Sequence, residues 1–214
     1  AKLYPGTIMD LENGHIVIDE GAVIRPGCTI IGPAYIGKHT TVLDRALIKA
    51  NTAIGPSCKV AGEIGGTIFQ GMTNKAHDGH LGGAGTVNSN LLNTYGDVVC
   101  RALGPGGKAG MLERTGIQFL GCMIGDHVKT AIGTRIMTGA ILGTGVMWAS
   151  GRAAAGTVPP FAWVTDDAEP GAKSFRFDKF AEIAKTVMAR RKASPEQAYI
   201  QALRELHSAA QISG

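Results

Sequence analysis

A period of six residues is the feature that most constrains how this chain can fold. Every sixth position from residue 18 to residue 60 is isoleucine or valine. This period fits neither the 3.6-residue turn of an α-helix nor the two-residue alternation of a simple strand. It is typical of a solenoid in which each hexapeptide forms one short strand and one turn, and in which three hexapeptides close a triangular coil. The sequence therefore predicts an all-β parallel β-helix. The positions are Ile18, Ile24, Ile30, Ile36, Val42, Ile48, Ile54 and Val60.

The same period returns later in the chain, at Ile124, Thr130, Ile136, Leu142 and Trp148. Glycine accounts for 31 of the 214 residues and aromatic residues for 6%, which suits a narrow prism whose tight turns need glycine. We predict two parts. Residues 1–160 form the hexapeptide-repeat β-helix with an inserted loop at about 88–118, and residues 161–214 form a return segment and two helices.

Irregular segments of the sequence set these boundaries. The repeat is interrupted between residues 66 and 116, and the glycine-rich stretch 102–113 predicts an exposed loop. Pro159 and Pro160 predict the end of the strand ladder, because proline cannot donate to it. Helical spacing of apolar residues then predicts a helix over 178–192. A serine followed by proline at residues 194–195 starts a second helix that runs to about residue 211, and the two form a C-terminal hairpin.

Composition narrows the function classes and the compartment. The net charge is +4, without the dense basic and aromatic stripe of a nucleic-acid surface. The longest uncharged stretches are too short for a transmembrane helix, and the N-terminus has no signal-peptide pattern. None of the four cysteines forms a CxxC pair, so we expect free thiols and no structural zinc site. We therefore expect a cytoplasmic protein without nucleic-acid or membrane partners. Its first residue, alanine, indicates a processed chain or a fragment.

The candidate catalytic residues are concentrated where the repeat is interrupted. Residues 74–82 read NKAHDGHLG and place His77 and His80 in a polar, glycine-rich segment. Breaks in a regular solenoid are where functional insertions tend to lie. A histidine is the natural general base near neutral pH. The segment therefore predicts an acid–base site.

This segment, followed by GAGTVNSN at residues 83–90, resembles the acetyltransferase half of bifunctional UDP-N-acetylglucosamine pyrophosphorylase/glucosamine-1-phosphate N-acetyltransferase. Residues 3–10, 67–71 and 124–130 are also similar to that group, so the resemblance extends from residue 3 to about residue 148. It implies a left-handed β-helix, a homotrimer with sites at the subunit interfaces, and acetyl-CoA as co-substrate in UDP-N-acetylglucosamine biosynthesis. No metal is expected for acetyl transfer.

The resemblance also assigns roles to individual residues. His77 occupies the position of the general base, which takes a proton from the 2-amino group of glucosamine 1-phosphate. Backbone groups near residues 130–134 meet the coenzyme arm. The implied substrate-binding residues are Lys49, Asn74, Lys75, His80 and Asn90, and the implied coenzyme-binding residues are Thr130, Ala131, Gly133 and Thr134.

The sequence departs from the family in two ways. The pyrophosphorylase domain that normally precedes this half is absent, and Gly82 is followed at once by Gly83 where relatives carry about ten more residues. Two alternatives therefore stay open. One is a non-catalytic β-helix that trimerises a sugar-1-phosphate nucleotidyltransferase. The other is a protein that resembles the γ-class carbonic anhydrases, which bind zinc through three histidines from two subunits, here His77, His80 and His127.

Overall fold

The chain forms two compact units, residues 1–83 and 84–214. Each unit contains parallel strands stacked coil upon coil, and the second also carries two α-helices. The predicted fold class, a left-handed parallel β-helix with a C-terminal helical hairpin, is confirmed. The computed structural model describes residues 1–82, 99–103, 109–116, 120–167 and 173–211.

Three parallel sheets form the faces of the first unit. Their strand orders are β1-β4-β7-β10-β13, β2-β5-β8-β11-β14 and β3-β6-β9-β12, so successive strands pass to the next face and every third strand returns to the same sheet. The strands are β1 (Lys2–Leu3), β2 (Ile8–Asp10), β3 (Ile16–Ile18), β4 (Val23–Ile24), β5 (Thr29–Ile31), β6 (Ala34–Ile36), β7 (Thr41–Val42), β8 (Leu47–Ile48), β9 (Thr52–Ile54), β10 (Lys59–Val60), β11 (Glu63–Gly65), β12 (Ile68–Phe69), β13 (Asn74–Lys75) and β14 (His80–Gly82).

The hexapeptide isoleucines and valines form the core of this unit in vertical columns. Ile18 pairs with Ile36, and Ile36 pairs with Ile54, on one face. The other two faces carry equivalent columns, and every residue of the period from Ile24 to Val60 is fully buried. Burying one such side chain contributes roughly 1.5–3 kcal/mol to stability. The core therefore follows directly from the six-residue repeat.

The corners between strands repeat with the same period as the core. His39, Arg45, Asn51 and Ser57 all adopt left-handed backbone conformations, with φ between 56° and 60°. Left-handed conformations are the ones that glycine adopts most readily. The prediction that glycine supplies these turns is thus only partly correct, because polar residues with a Cβ occupy four successive corners.

The β-helix continues where the sequence repeat is interrupted. Beyond Gly66, Phe69 stacks on Ile54, Lys75 on Val60, and the strand that contains Leu81 on that of Ile64. These coils are one to three residues shorter than the preceding ones, so the six-residue period is lost while the inward alternation persists. The β-helix therefore continues to residue 82, although the six-residue sequence repeat does not.

The second unit contains a hairpin and two three-stranded parallel sheets. The hairpin pairs β15 with β16 in antiparallel fashion, and the sheets have the orders β17-β19-β21 and β18-β20-β22. The strands are β15 (Val99–Leu103), β16 (Ala109–Arg114), β17 (Met123–Ile124), β18 (Lys129–Thr130), β19 (Ile141–Leu142), β20 (Met147–Ala149), β21 (Thr157–Val158) and β22 (Trp163–Thr165).

Two expectations for this unit differ from the structure. The stretch 102–113, expected to be a loop, contributes to the two strands of the hairpin, and residues 104–108 lie outside the described residues. The ladder also continues past the two prolines, because β22 pairs with β20. Pro159 and Pro160 lie between strands, beside Phe161 with its left-handed φ of 58°, so they shape a corner and remove no ladder hydrogen bond.

The C-terminal hairpin consists of α1 (Phe177–Ala189) and α2 (Gln197–Gln211). The first helix ends three residues before its predicted limit, where Lys192 adopts a left-handed φ of 56° and Ala193 N–H donates to the Met188 carbonyl. A hydrophobic cluster holds the hairpin and includes Phe161, Phe175, Phe177, Phe180 and Leu203. No helix among the described residues is both long and apolar enough to cross a membrane.

A half-buried histidine–tyrosine pair connects α2 to the β-helix of this unit. His127 Nε2 lies 2.7 Å from the Tyr199 hydroxyl, and the His127 ring meets the Phe180 ring edge to face at 5.5 Å. Burial lowers the pKa of His127, and the Lys129 ammonium lowers it further, whereas Asp126 acts in the opposite direction. The neutral imidazole is therefore the form that fits the docked hairpin.

We expect the second unit to lose stability in mild acid for this reason. A histidine with a lowered folded-state pKa contributes stability that is complete above its ordinary value of about 6.5 and is lost as the pH falls below that value through the lowered one. Both tryptophans lie in this unit, so urea unfolding followed by tryptophan fluorescence between pH 7.5 and 5 measures it. His127→Gln should flatten the pH dependence and His15→Gln should not. Equal slopes in all three proteins would contradict the assignment.

Candidate functional site

The histidine segment continues the β-helix of the first unit. Its first strand, β13, extends the sheet that contains β10, and β14 extends the sheet that contains β11. Alternation along β14 directs Leu81 toward the core and His80 to the outside, next to Glu63 of the preceding coil. Between the two strands, residues 76–79 form a bend in which the His77 side chain is exposed. The repeat thus places both histidines at the surface.

Glu63 joins Lys49 and His80 on the outer face of one sheet. Its Oε1 lies 2.5 Å from Lys49 Nζ and 3.3 Å from His80 Nδ1. The hydrogen bond from the Lys49 ammonium lowers the pKa of Glu63, so this carboxyl group is ionised near neutral pH. Lys49, Glu63 and His80 thus form a trio in which one carboxylate oxygen contacts two basic side chains.

Gly65 makes room for this trio. A Cβ built on Gly65 would lie 3.0 Å from the Cβ and 3.2 Å from the Cδ of Lys49, so the lysine stem runs directly across the glycine. A side chain at residue 65 would displace Lys49 from that path. Gly65 is therefore a determinant of the trio.

Lys75 points in the opposite direction from its neighbour Asn74. It pairs with Val60, a core residue, and its side chain is half-buried. Its Nζ donates to the carbonyl oxygens of Ala61 and His77, both at 2.7 Å. Burial lowers the pKa of Lys75, and the nearby Asp78 carboxylate partly offsets this effect. The binding of substrate by Lys75 stays a prediction, and the structure shows its ammonium bonded to the backbone.

The predicted coenzyme segment lies in the second unit and begins at Thr130, the last residue of β18. Ala131 N–H donates to the Trp148 carbonyl at 2.8 Å, and Thr134 Oγ1 donates to the Ala131 carbonyl at 2.7 Å. Gly133 adopts a left-handed φ of 73°, and Ile132 at the tip of the turn is fully exposed. Residues 130–134 thus form a compact exposed turn on a strand corner. Their contact with a coenzyme stays a prediction.

Some sequence predictions have no counterpart in the described structure. Asn90 and Gly83, the second residue of the Gly82–Gly83 junction, lie outside the described residues. Within those ranges, no three histidine, cysteine, aspartate or glutamate residues lie close enough together to hold a metal ion. Of the three histidines of the zinc alternative, His77 and His80 lie in the first unit and His127 lies in the second.

Glu63 is the residue that sequence reasoning missed. Its neighbour Ile64 is fully buried, and this strand pairs Glu63 with Leu47 and His80. Continuing the six-residue repeat from Val60 predicts residue 66 as the next core position. The strand at residues 63–65 is therefore not expected from the repeat. The sequence signal for this strand is an isoleucine between a charged residue and a glycine. This pattern matches a short strand whose central side chain points inward.

Comparison with known proteins adds little beyond this geometry. No protein-family model and no curated protein matches the sequence. Among solved structures, the chain is similar to the crystal structure of a "putative acetyltransferase" from Bacillus cereus, with 14% sequence identity and a TM-score of 0.42 over 97% of this chain and 99% of that one. A likeness at this level carries no argument about function. The fold assignment rests on the strand pairing itself.

Proposed function

We propose that the chain is an acyl-CoA-dependent acyltransferase, and specifically an N-acetyltransferase that converts glucosamine 1-phosphate with acetyl-CoA. The observation that carries the proposal is the exposed His77 on a bend that Lys75 ties to the neighbouring coil by hydrogen bonds to the His77 and Ala61 carbonyls. A solvent-accessible imidazole on a fixed backbone is what a general base for an amine requires. The β-helix fold and the resemblance of residues 74–82 support the same activity.

The reaction needs one proton acceptor and an electrophilic thioester. His77 takes a proton from the 2-amino group as its nitrogen attacks the carbonyl carbon of acetyl-CoA, which forms the C–N bond. A backbone N–H stabilises the negative charge on the tetrahedral oxygen. The C–S bond then breaks, the coenzyme leaves as its thiolate, and the His77 imidazolium returns the proton to sulfur. Binding both substrates at one site supplies the proximity that the step requires.

The phosphate of the acceptor suits the outer face that carries the Lys49–Glu63–His80 trio. On this face the Lys49 ammonium supplies a positive charge and the His80 ring supplies a nitrogen, and the Glu63 carboxylate lies against both. Asn74 is exposed on the adjacent sheet and offers an amide donor. We propose these three residues, Lys49, His80 and Asn74, as ligands of the sugar phosphate.

The test is release of the coenzyme thiol from acetyl-CoA by the purified chain. Glucosamine 1-phosphate should support turnover, and N-acetylglucosamine 1-phosphate should not, because its nitrogen is already acylated. Mass spectrometry of the sugar should show the added acetyl group. A folded protein that releases no thiol with the free amine would favour the second candidate function, a β-helix that only associates subunits of a larger enzyme.

An exposed apolar column supports self-association in either case. Val17, Tyr35, Ala53 and Ile68 lie in register on the outer face of one sheet, and Ile68 is 78% exposed. Apolar side chains that line one face of a monomer mark an interaction surface. We propose that this column packs against further copies of the chain in a homotrimer.

Ile68→Glu should therefore reduce the assembly to monomers. A charge placed in an apolar interface loses its hydration without gaining a partner, which destabilises the association. Sedimentation velocity at micromolar protein measures the effect. Ile8→Glu, at a similarly exposed isoleucine on a different sheet, is the matched control and should keep the assembly of the unmodified chain. Identical sedimentation of the Ile68 variant and the unmodified chain would contradict the proposed surface.

A further inference from the structure

We propose that Lys75 is a positioning residue that holds the His77 backbone in place, and not a ligand of the acceptor phosphate. This inference rests on the proposed function, in which His77 is the base. It assigns to Lys75 a different role from the one that the sequence resemblance implies. Three observations carry it: the register of Lys75, the burial of its side chain, and the two carbonyls that its ammonium contacts.

The register places Lys75 at a core position. Ile24, Val42 and Val60 stack in one inward column, and Lys75 is the next member of that column. The three preceding residues are fully buried, and the lysine stem continues the column while its ammonium turns to the backbone. A lysine that serves a solvent phosphate belongs on the outer face, where Asn74 and Lys59 lie. The alternation of the strand therefore directs Lys75 away from the exposed face.

The hydrogen bonds of Lys75 show what the side chain does there. Its ammonium bridges the Ala61 carbonyl, which follows β10, and the His77 carbonyl in the bend after β13. Partly burying a cation is costly unless polar groups satisfy it, and these two oxygens supply the partners. Reaching a phosphate would require the ammonium to leave both. The bridge thus joins the bend that carries the base to the coil beneath it.

A bend fixed in this way matters for proton transfer. Apart from this bridge, the backbone that carries the imidazole is anchored at its two ends, where Ala61 N–H donates to the Lys75 carbonyl and Glu63 N–H donates to the Gly79 carbonyl. A displacement of about 1 Å in a catalytic group can cost about 100-fold in rate. Loss of the bridge should therefore lower the rate of the chemical step and leave the affinity for the acceptor largely intact.

The separation of kcat from KM distinguishes positioning from phosphate binding. For Lys75→Met, we expect kcat to fall about 10- to 100-fold while KM for glucosamine 1-phosphate changes less than about 3-fold. Methionine suits the apolar column, so the variant should fold. Lys38→Met, at an exposed lysine that pairs with Glu20, is the matched control and should leave both constants unchanged. A large rise in KM with kcat unchanged would overturn the proposal.

Amide hydrogen exchange gives a second readout that does not depend on activity. In Lys75→Met, peptides covering residues 76–80 should exchange faster than in the unmodified chain, and in Lys38→Met they should not. Unchanged exchange in the Lys75 variant would overturn the positioning role.

A second pair of variants tests the proposal if Lys75→Met does not fold. Lys75→Arg keeps a cation and N–H donors, so its kcat should exceed that of Lys75→Gln. Equal kcat in those two variants would count against the proposal.

These measurements separate the two proposals. If the unmodified chain has no transferase activity, the proposed function fails, and the exchange experiment still decides whether Lys75 fixes the bend. If the chain is active and Lys75→Met changes only KM, the transferase stands and the positioning role fails.

Discussion

His77→Asn should lower kcat for acetyl transfer by about 10²- to 10⁴-fold, the range that general-base catalysis contributes. Asparagine can still donate and accept hydrogen bonds, but it has no group that takes up a proton near neutral pH. The side chain is exposed, so the substitution removes no core contact and the variant should keep its thermal stability. Steady-state kinetics with acetyl-CoA and glucosamine 1-phosphate, together with thermal unfolding of each protein, measure both effects.

The control for this variant is His15→Asn, at another exposed histidine of the same unit, which should retain full activity. His80→Asn offers a further contrast. If His80 contributes to phosphate binding, its loss should raise KM for the sugar phosphate more than it lowers kcat. Full activity in His77→Asn would show that another group accepts the proton. His80, held beside Glu63, would then be the first to examine.

Ile36→Ala should destabilise the first unit by about 2–5 kcal/mol, the range for truncating a buried isoleucine. Ile36 is fully buried at the centre of a column, between Ile18 and Ile54. Removing its side chain leaves a cavity that the coils above and below cannot fill, because strand pairing fixes their spacing. The lost contacts therefore add to the lost transfer free energy.

Denaturant-dependent hydrogen exchange of peptides from residues 1–82 measures this effect for the first unit by itself. Ile8→Ala is the matched control, since it makes the same chemical change at a side chain that is 59% exposed, and it should cost less than about 0.5 kcal/mol. Similar losses in the two variants would contradict the columnar core. They would indicate that the Ile8 side chain, exposed in a single chain, is buried when the protein assembles.

The candidate site combines an exposed base with two supports of different kinds. Glu63 holds His80 and Lys49 together on the outside, and Lys75 holds the backbone of His77 from within the coil. The first support is electrostatic, so it depends on the ionisation of Glu63, whose pKa the Lys49 ammonium lowers. The second uses backbone carbonyls that do not titrate. On the acid side, the bend that carries His77 should accordingly keep its geometry to lower pH than the trio does, whereas on the alkaline side it depends on the Lys75 ammonium, whose pKa burial lowers.

The sequence predicted the fold because the signal for it is local and repeated. A strand of two or three residues needs one inward side chain, and the period of six supplies an isoleucine or valine for every such strand from Ile24 to Val60. The helical hairpin was equally readable, since its apolar spacing and its proline start lie within single segments. The same reasoning failed at Pro159–Pro160, where whether a proline lies within a strand or at a corner depends on the pairing of its neighbours.

The sequence by itself thus determined the repeating coil, the columns that fill it, and the location of the histidine segment. Only the tertiary structure decided which residues meet. Shorter coils after Val60 bring Glu63 against His80 and Lys49 and place Lys75 in the core column, and no local pattern encodes that change of register. The physical reason is that the alternation within a strand sets the direction of each side chain. Which residues of the next coil it contacts depends instead on the number of residues in that coil.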